Sequence, residues 1–553
     1  MNRTRLAPAV VLLLLGAFLG SALAETHGDL VPSGPRDPNR RSPGSKRLEK
    51  LKAGPLDWKV PQVGKEVERR VLPSGTIAFL MEDHALPIVN VQLRVRTGSI
   101  YEPSNGVAQL TGILLRQGGT ASRSPEEVDR DLEYRSISIF SSISEEQATV
   151  SLDCLTKDLD AGLDLLADIV MHPVFRQDRV DFQKGQLLEQ IRRRNDNPGA
   201  ISGRLFNRTL YGEHAYGKSL EWQPLVAISR DDLVAFHSRY FVPNNAMVGV
   251  TGDFRRDAFL AAWNARFSSW EKKTVAFPKA AAVSATPNPG VVLVDKDLNQ
   301  SNVRLGHLGI DWSNPDRHAV QLMNFILGGG SFTSRLTERV RNDEGLAYSV
   351  GSQYGARADL GAFSASVQTK TETTTKAIRL IREEIERIRR DGVTDEELRS
   401  AKESYLNRYV FQFSNASSVV GQLMDLEYYD RPRDLFQRYI SDVEGVTVAQ
   451  VNGAAKKYLR PEDLTLVVVG NVAKFDAPLQ SLGFGAVTNV ALEAPPPSID
   501  EILPGASGGA ASAVAAGGPG RKGAGEKNAG PPAGTGKRGR RGAPTAEAPP
   551  TRP

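Results

Sequence analysis

With Cys154 as its one cysteine in 553 residues, the chain cannot form an intramolecular disulfide, and any fold must rest on packed cores. Cys154 lies in Val150-Ser151-Leu152-Asp153-Cys154-Leu155, whose alternation predicts a strand in which the thiol packs rather than reacts. Histidine is also scarce. His27, His84, His172, His214, His237, His307 and His318 are the seven, and none has another within five residues. No pair therefore has the spacing of two metal ligands on adjacent helical turns. Beyond the first 24 residues there is no run near the roughly 20 consecutive apolar residues that a membrane-spanning helix requires.

Those first 24 residues have another layout. Arg3 and Arg5 precede an apolar run from Ala7 to Phe18, followed by Ala22-Leu23-Ala24. This is the order of a secretory signal peptide, and cleavage after Ala24 is expected. The mature protein is expected to be soluble and exported: periplasmic in a Gram-negative bacterium, otherwise secreted. Residues 25–57, polar and rich in Pro, Gly and Arg, read as a flexible lead-in to a folded region that begins at Trp58.

A strong charge of one sign is missing from most of the chain. Residues 505–553 hold eight basic and two acidic residues, or +6 of an overall +5, which leaves about −1 for everything else. The folded part thus lacks the electrostatic footprint of a nucleic-acid-binding protein. The segment 486–553, rich in Gly, Ala and Pro, reads as a disordered basic tail.

Periodicity supplies the rest. Strands are predicted over Thr76–Met81 and Ile88–Arg96, with a helix from Val107 to Arg116 and another opened by Ser124-Pro125-Glu126-Glu127. Residues 277–290, with Pro278, Pro287 and Pro289, read as a linker between halves spanning 58–276 and 291–485. The halves are related. At a common offset of 218, Tyr240 matches Tyr458, Pro243 matches Pro461 and Gly252 matches Gly470, so a helix, a proline-marked turn and a buried strand recur. In the second half Ile378, Ile381, Ile385 and Ile388 form one apolar helical stripe, and Thr394-Asp395-Glu396-Glu397 is a capping box. The predicted fold class is α+β: two homologous halves, each a mixed β-sheet with helices packed on one face.

The run Leu72-Pro73-Ser74-Gly75-Thr76-Ile77, then Glu82-Asp83-His84, Arg96-Thr97-Gly98-Ser99-Ile100-Tyr101-Glu102 and Gly106-Val107-Ala108 resembles the amino-terminal half of insulinase (pitrilysin) family metallopeptidases. The resemblance continues through Arg193–Pro198 and Ile228–Leu233 and covers roughly residues 65–480. Catalytic members carry His-x-x-Glu-His on the first helix, two zinc ligands flanking the base that deprotonates zinc-bound water. Here Gln109 and Ile113 stand at the two histidine positions and Gly112 at the base. The family's third ligand falls on Glu189, expected as a solvated helix residue, and a further family glutamate falls on Phe182. No metal is expected in this chain.

The second half keeps what the resemblance implies for it. Gly328-Gly329-Gly330-Ser331 through Val350 is similar to the family's carboxy-terminal signature, with a tight glycine turn before a helix begun near Ser331. In that signature an arginine and a tyrosine reach substrate held at the zinc of the opposite half, and they match Arg341 and Tyr348. By spacing alone, Arg341 could instead pair with Glu344, and Tyr348 could be a packed strand residue. The resemblance implies a non-catalytic subunit of a heterodimeric zinc peptidase, with zinc in a motif-bearing partner and activity belonging to the complex. The alternative is a peptide-binding scaffold without an enzymatic partner. A self-sufficient hydrolase has little support, because no serine or cysteine has an identifiable histidine partner.

Overall fold

The computed structural model describes residues 60–284 and 289–502. The signal-like segment, the lead-in with Trp58, and residues 503–553 lie outside them. Two six-stranded sheets organise the described residues. The first contains β1 (Glu68–Val71), β2 (Ile77–Glu82), β3 (Ile88–Arg96), β4 (Ser138–Ile143), β5 (Gln147–Leu155) and β6 (Ala246–Gly252), in the order β1-β2-β6-β3-β5-β4. The second contains β7 (Gly290–Asp295), β8 (Gln300–Leu308), β9 (Ala347–Gly355), β10 (Ala362–Lys370), β11 (Thr465–Gly470) and β12 (Val487–Asn489), in the order β12-β7-β11-β8-β10-β9. Both are mixed: β2 runs parallel to β6 and β7 parallel to β11, while β3, β5 and β8, β10 pair antiparallel.

The alternation that predicts strands corresponds to burial. Val89, Val91, Leu93 and Val95 of β3 point into the first core, with Val150 and Leu152 of β5 beside them. The central strands β6 and β11 are buried almost throughout, as strands covered on both faces must be. Ser124 and Glu127 form a capping box ahead of Pro125, and Thr394 and Glu397 form another. The four isoleucines of helix Thr374–Asp391 are fully buried in the second core.

The offset of 218 extends well past the residues that suggest it. Helices Gln177–Arg192, Pro198–Tyr211 and Arg230–Tyr240 begin 218 residues before helices Asp395–Tyr409, Ala416–Tyr428 and Val448–Tyr458. Tertiary structure adds an exchange. Helix Pro198–Tyr211 of the first half packs on β8 and β11 of the second, and helix Ala416–Tyr428 of the second packs on β2 and β6 of the first. Each sheet therefore has its own helices on one face and a helix from the other half on the opposite face. Gly249 on β6 permits the close approach, since a Cβ there would lie 2.5 Å from Met424 Sδ and 2.6 Å from Val420 Cγ1. Polar contacts cross with the exchanged helix: Arg69 forks onto Glu427 at 2.6 and 3.0 Å, and Arg94 reaches Asp425 at 2.5 Å.

The tail boundary needs correction. Val487–Asn489 pairs in parallel with Val291–Leu293, Arg192 donates to the Pro496 carbonyl at 2.7 Å, and Arg194 pairs with Glu493. Residues 486–502 thus run along the body. Val490 and Leu492 pack on Ile201, Val294 and Val469, and this short apolar patch is too brief to register as periodicity. The linker is irregular as far as residue 284, but Phe277 already packs its ring on Tyr101 and Tyr240.

Candidate functional site

Helix Val107–Gln117 starts at Gly106, whose φ of 102° places it in the left-handed region. Glu102 caps this helix, with Oε2 accepting the N–H groups of Gly106 (3.2 Å) and Ala108 (2.9 Å). Burial pushes its carboxyl up to about 6, outweighing those two N–H donors. Glu102, exposed Gln109 and half-buried Ile113 line a cavity of about 460 Å³ with Ser142, Lys218 and Leu220.

Gly112 faces the other way, onto β4. A Cβ on it would lie 2.4 Å from the Ile143 nitrogen and 2.9 Å from the Ser142 carbonyl carbon, while Ser141 Oγ donates to the Gly112 oxygen at 2.6 Å. The helix has closed onto the strand where a catalytic glutamate would need space. Glu189, on helix Gln177–Arg192, lies 3.3 Å from Arg192 with its side chain 43% exposed, and half-buried Phe182 is on the same helix. Among the described residues no three His, Cys, Asp or Glu gather as metal ligands. An amide, a hydrogen atom and an alkyl group at 109, 112 and 113 do not fit a zinc ion.

Several of the described histidines are engaged elsewhere. His237 Nε2 contacts the Val170 carbonyl at 2.8 Å, and His84 pairs with Asp253 at 2.7 Å. His307 contacts the Leu308 carbonyl through Nδ1 at 2.8 Å and accepts the Arg460 N–H through Nε2 at 3.1 Å. Burial holds the His237, His307 and His318 imidazoles down to about 4.

In the second half, Ser331–Thr333 forms one tight turn and the chain re-enters a helix that takes π form over Thr337–Asp343. Such widened turns are frequent at functional sites. Arg341 sits in it, and its guanidinium lies 5.0 Å from the centre of the Phe332 ring and 5.7 Å from that of Tyr348. Both rings are about two-thirds exposed, at 68% and 65%. Glu344, the alternative partner by spacing, is held by Lys376 at 2.7 Å and Arg339 at 3.4 Å. Among the described residues Arg341 has no ion pair or hydrogen bond, only these two ring faces. The structure thus unites Arg341 with Tyr348. Neither lines the cavity beside Gln109 and Ile113. Phe332 is the residue that sequence reasoning misses; an aromatic inside a glycine turn is its signal.

Two family models match: the one described as "Insulinase (Peptidase family M16)" over residues 78–222, and "Peptidase M16 inactive domain" over residues 227–405. An uncharacterised zinc protease of Mycobacterium tuberculosis is 28% identical over 72% of this chain and 92% of its own length. The non-peptidase homologue YmxG of Helicobacter pylori is 26% identical over 71% and 91%. Among solved structures, a peptidase M16 inactive domain from Pseudomonas fluorescens superposes with a TM-score of 0.67 at 26% identity, over 73% of this chain and 97% of that one. The periplasmic protease PqqL of Escherichia coli shares the fold, with a TM-score of 0.63 at 16% identity, over 84% of this chain and 50% of its own. The chain belongs to the insulinase (M16) peptidase family, with Gln109, Gly112 and Ile113 at the positions that align with its zinc motif.

Proposed function

We propose that the chain is the non-catalytic subunit of an exported two-chain zinc peptidase, presenting Arg341 and Tyr348 to peptide held at the zinc of a motif-bearing family member. The observation that carries this reading is an asymmetry. The metal positions hold Gln109, Gly112 and Ile113, with no space for a side chain at 112, whereas half-buried Arg341 and exposed Tyr348 stand together without a polar partner among the described residues. A guanidinium and a phenol are donors suited to a carbonyl oxygen that becomes negative under attack by water. The guanidinium lies over the Phe332 and Tyr348 rings, contacts that use none of its N–H donors. Zinc belongs to the partner, and hydrolysis of peptides or unfolded proteins belongs to the pair.

Export is supported by the layout of residues 1–24 and by a fold shared with a periplasmic protease. No helix among the described residues is long and apolar enough to cross a membrane. Co-expression with a zinc-motif homologue should yield a chelator-sensitive peptidase, and Arg341→Ala or Tyr348→Phe should lower kcat by on the order of 10² or more. Unchanged activity in both variants refutes the role. A peptide-binding scaffold is the second reading, favoured by the 460 Å³ cavity that persists beside Gln109. A native pull-down separates the two, since only the first expects a zinc-motif homologue at equal stoichiometry.

A further inference from the structure

A second cavity, of about 390 Å³, opens between the halves, where the turn from β4 to β5 faces Trp312, Arg357 and Arg431. Glu146 in that turn is already engaged. Tyr216 and Tyr429 donate their phenols to its carboxylate, the latter at 2.8 Å, and Tyr428 donates to its backbone oxygen at 2.5 Å. Asp425, on the same wall, is held by Arg94. The aromatic rings carry two guanidiniums: Arg357 lies 4.2 Å from the centre of Tyr216, and Arg431 lies 3.9 Å from Trp312 and 4.6 Å from Tyr429.

Neither arginine side chain has an ion pair or a hydrogen bond among the described residues, and the Arg431 Nε is buried without an acceptor. A guanidinium laid on a ring is fixed in plane while its N–H edge stays available, and that edge matches the two oxygens of a carboxylate. Two such groups on one cavity make an acceptor-seeking pair. Glu145, Glu146 and Asp425 line the same walls, which disfavours a doubly charged anion such as phosphate against a singly charged carboxylate.

We propose that this inter-half cavity is a carboxylate-binding subsite for peptide, with Arg357 and Arg431 as its donors. The proposal deepens the functional reading above and rests on its peptide-binding part. The carboxylate comes from a peptide C-terminus or from an Asp or Glu side chain, and calorimetric titration of the purified full chain distinguishes these sources. The probes are a short N-acetylated alanine-serine-leucine peptide with a free carboxylate, its C-terminal amide, and that amide with one internal Glu or Gln.

Tighter binding of the free acid than of the amide identifies the terminus; tighter binding of the Glu than of the Gln peptide identifies the side chain. In either case Arg357→Gln/Arg431→Gln should weaken the preferred peptide by roughly tenfold or more, as expected for lost charge-assisted hydrogen bonds. Equal binding of acidic and neutral peptides by the unmodified chain overturns the proposal without relying on the variant's folding. Undiminished binding by a folded double variant, or inorganic phosphate binding as well as the acidic peptide, also overturns it. These readouts use the chain without its partner, so they fail separately from the two-chain reading.

Discussion

Gly112→Ala is the smallest step toward restoring the zinc motif, and the structure predicts that the fold resists it. Two effects compete. Alanine in place of glycine inside a helix contributes about 1 kcal/mol of propensity. Against this, the new Cβ would sit 2.4 Å from the Ile143 nitrogen, about 1 Å inside the 3.4 Å of an ordinary contact, with backbone rather than a pliable side chain opposite. Relief requires the helix to move off β4, which strains packing at a cost of about 1–3 kcal/mol and lengthens the 2.6 Å bond from Ser141 to the Gly112 oxygen, worth about another 1 kcal/mol. The net expectation is a loss of about 1–3 kcal/mol.

Gly453, on helix Val448–Tyr458, is the internal control. Nothing lies within 4 Å of its notional Cβ, so Gly453→Ala should gain about 0.5–1 kcal/mol. Urea denaturation followed by circular dichroism compares the two. If Gly112→Ala is as stable as the parent or gains as much as Gly453→Ala, the steric argument is wrong. By the same reasoning, Gln109→His/Gly112→Glu/Ile113→His should be destabilised and should not gain peptidase activity.

Acid should weaken the chain. The imidazoles of His237, His307 and His318 titrate near 4 when folded but near 6.5 when unfolded, so the unfolded chain binds more protons between those values. The stability they contribute is present above pH 6.5 and lost as pH falls, by up to about 1.4 kcal/mol per unit for each. Glu102, raised to about 6, acts in the opposite sense, losing stability as pH rises from about 4.5 to 6, and so blunts the slope. Urea midpoints that stay flat from pH 7 to 5 would contradict this account. Asp425→Asn should cost about 3 kcal/mol, because Arg94, with only 8% of its side chain exposed, loses the one carboxylate it pairs with among the described residues. Equal chemical stability of Asp425→Asn and the parent would show that this contact does not hold the exchanged helix.

Much of the site was legible before its geometry. The resemblance to the family marks 109, 112 and 113 as the positions of the zinc motif, and helical spacing then relates them locally. Arg341 and Tyr348 are also near in sequence, but the helix that carries Arg341 begins at Arg335 rather than near Ser331, because Gly328 and Gly329 prolong the preceding helix as a π turn. Phe332 escaped notice because its partner is the guanidinium nine residues ahead, reached only after a π-helical turn.

The sequence alone determined the two related halves and their strands and helices, since local propensity, periodicity and duplicated spacing are properties of chain order, and the resemblance to the family implied the replaced metal positions. Only the tertiary structure decided that each half lays a helix on the other's sheet, that residues 486–502 run along the body, and that Arg357 and Arg431 share a cavity. These depend on contacts between residues far apart in sequence, such as Gly249 with Met424 and Tyr216 with Glu146, and packing sets them where no periodicity can record them.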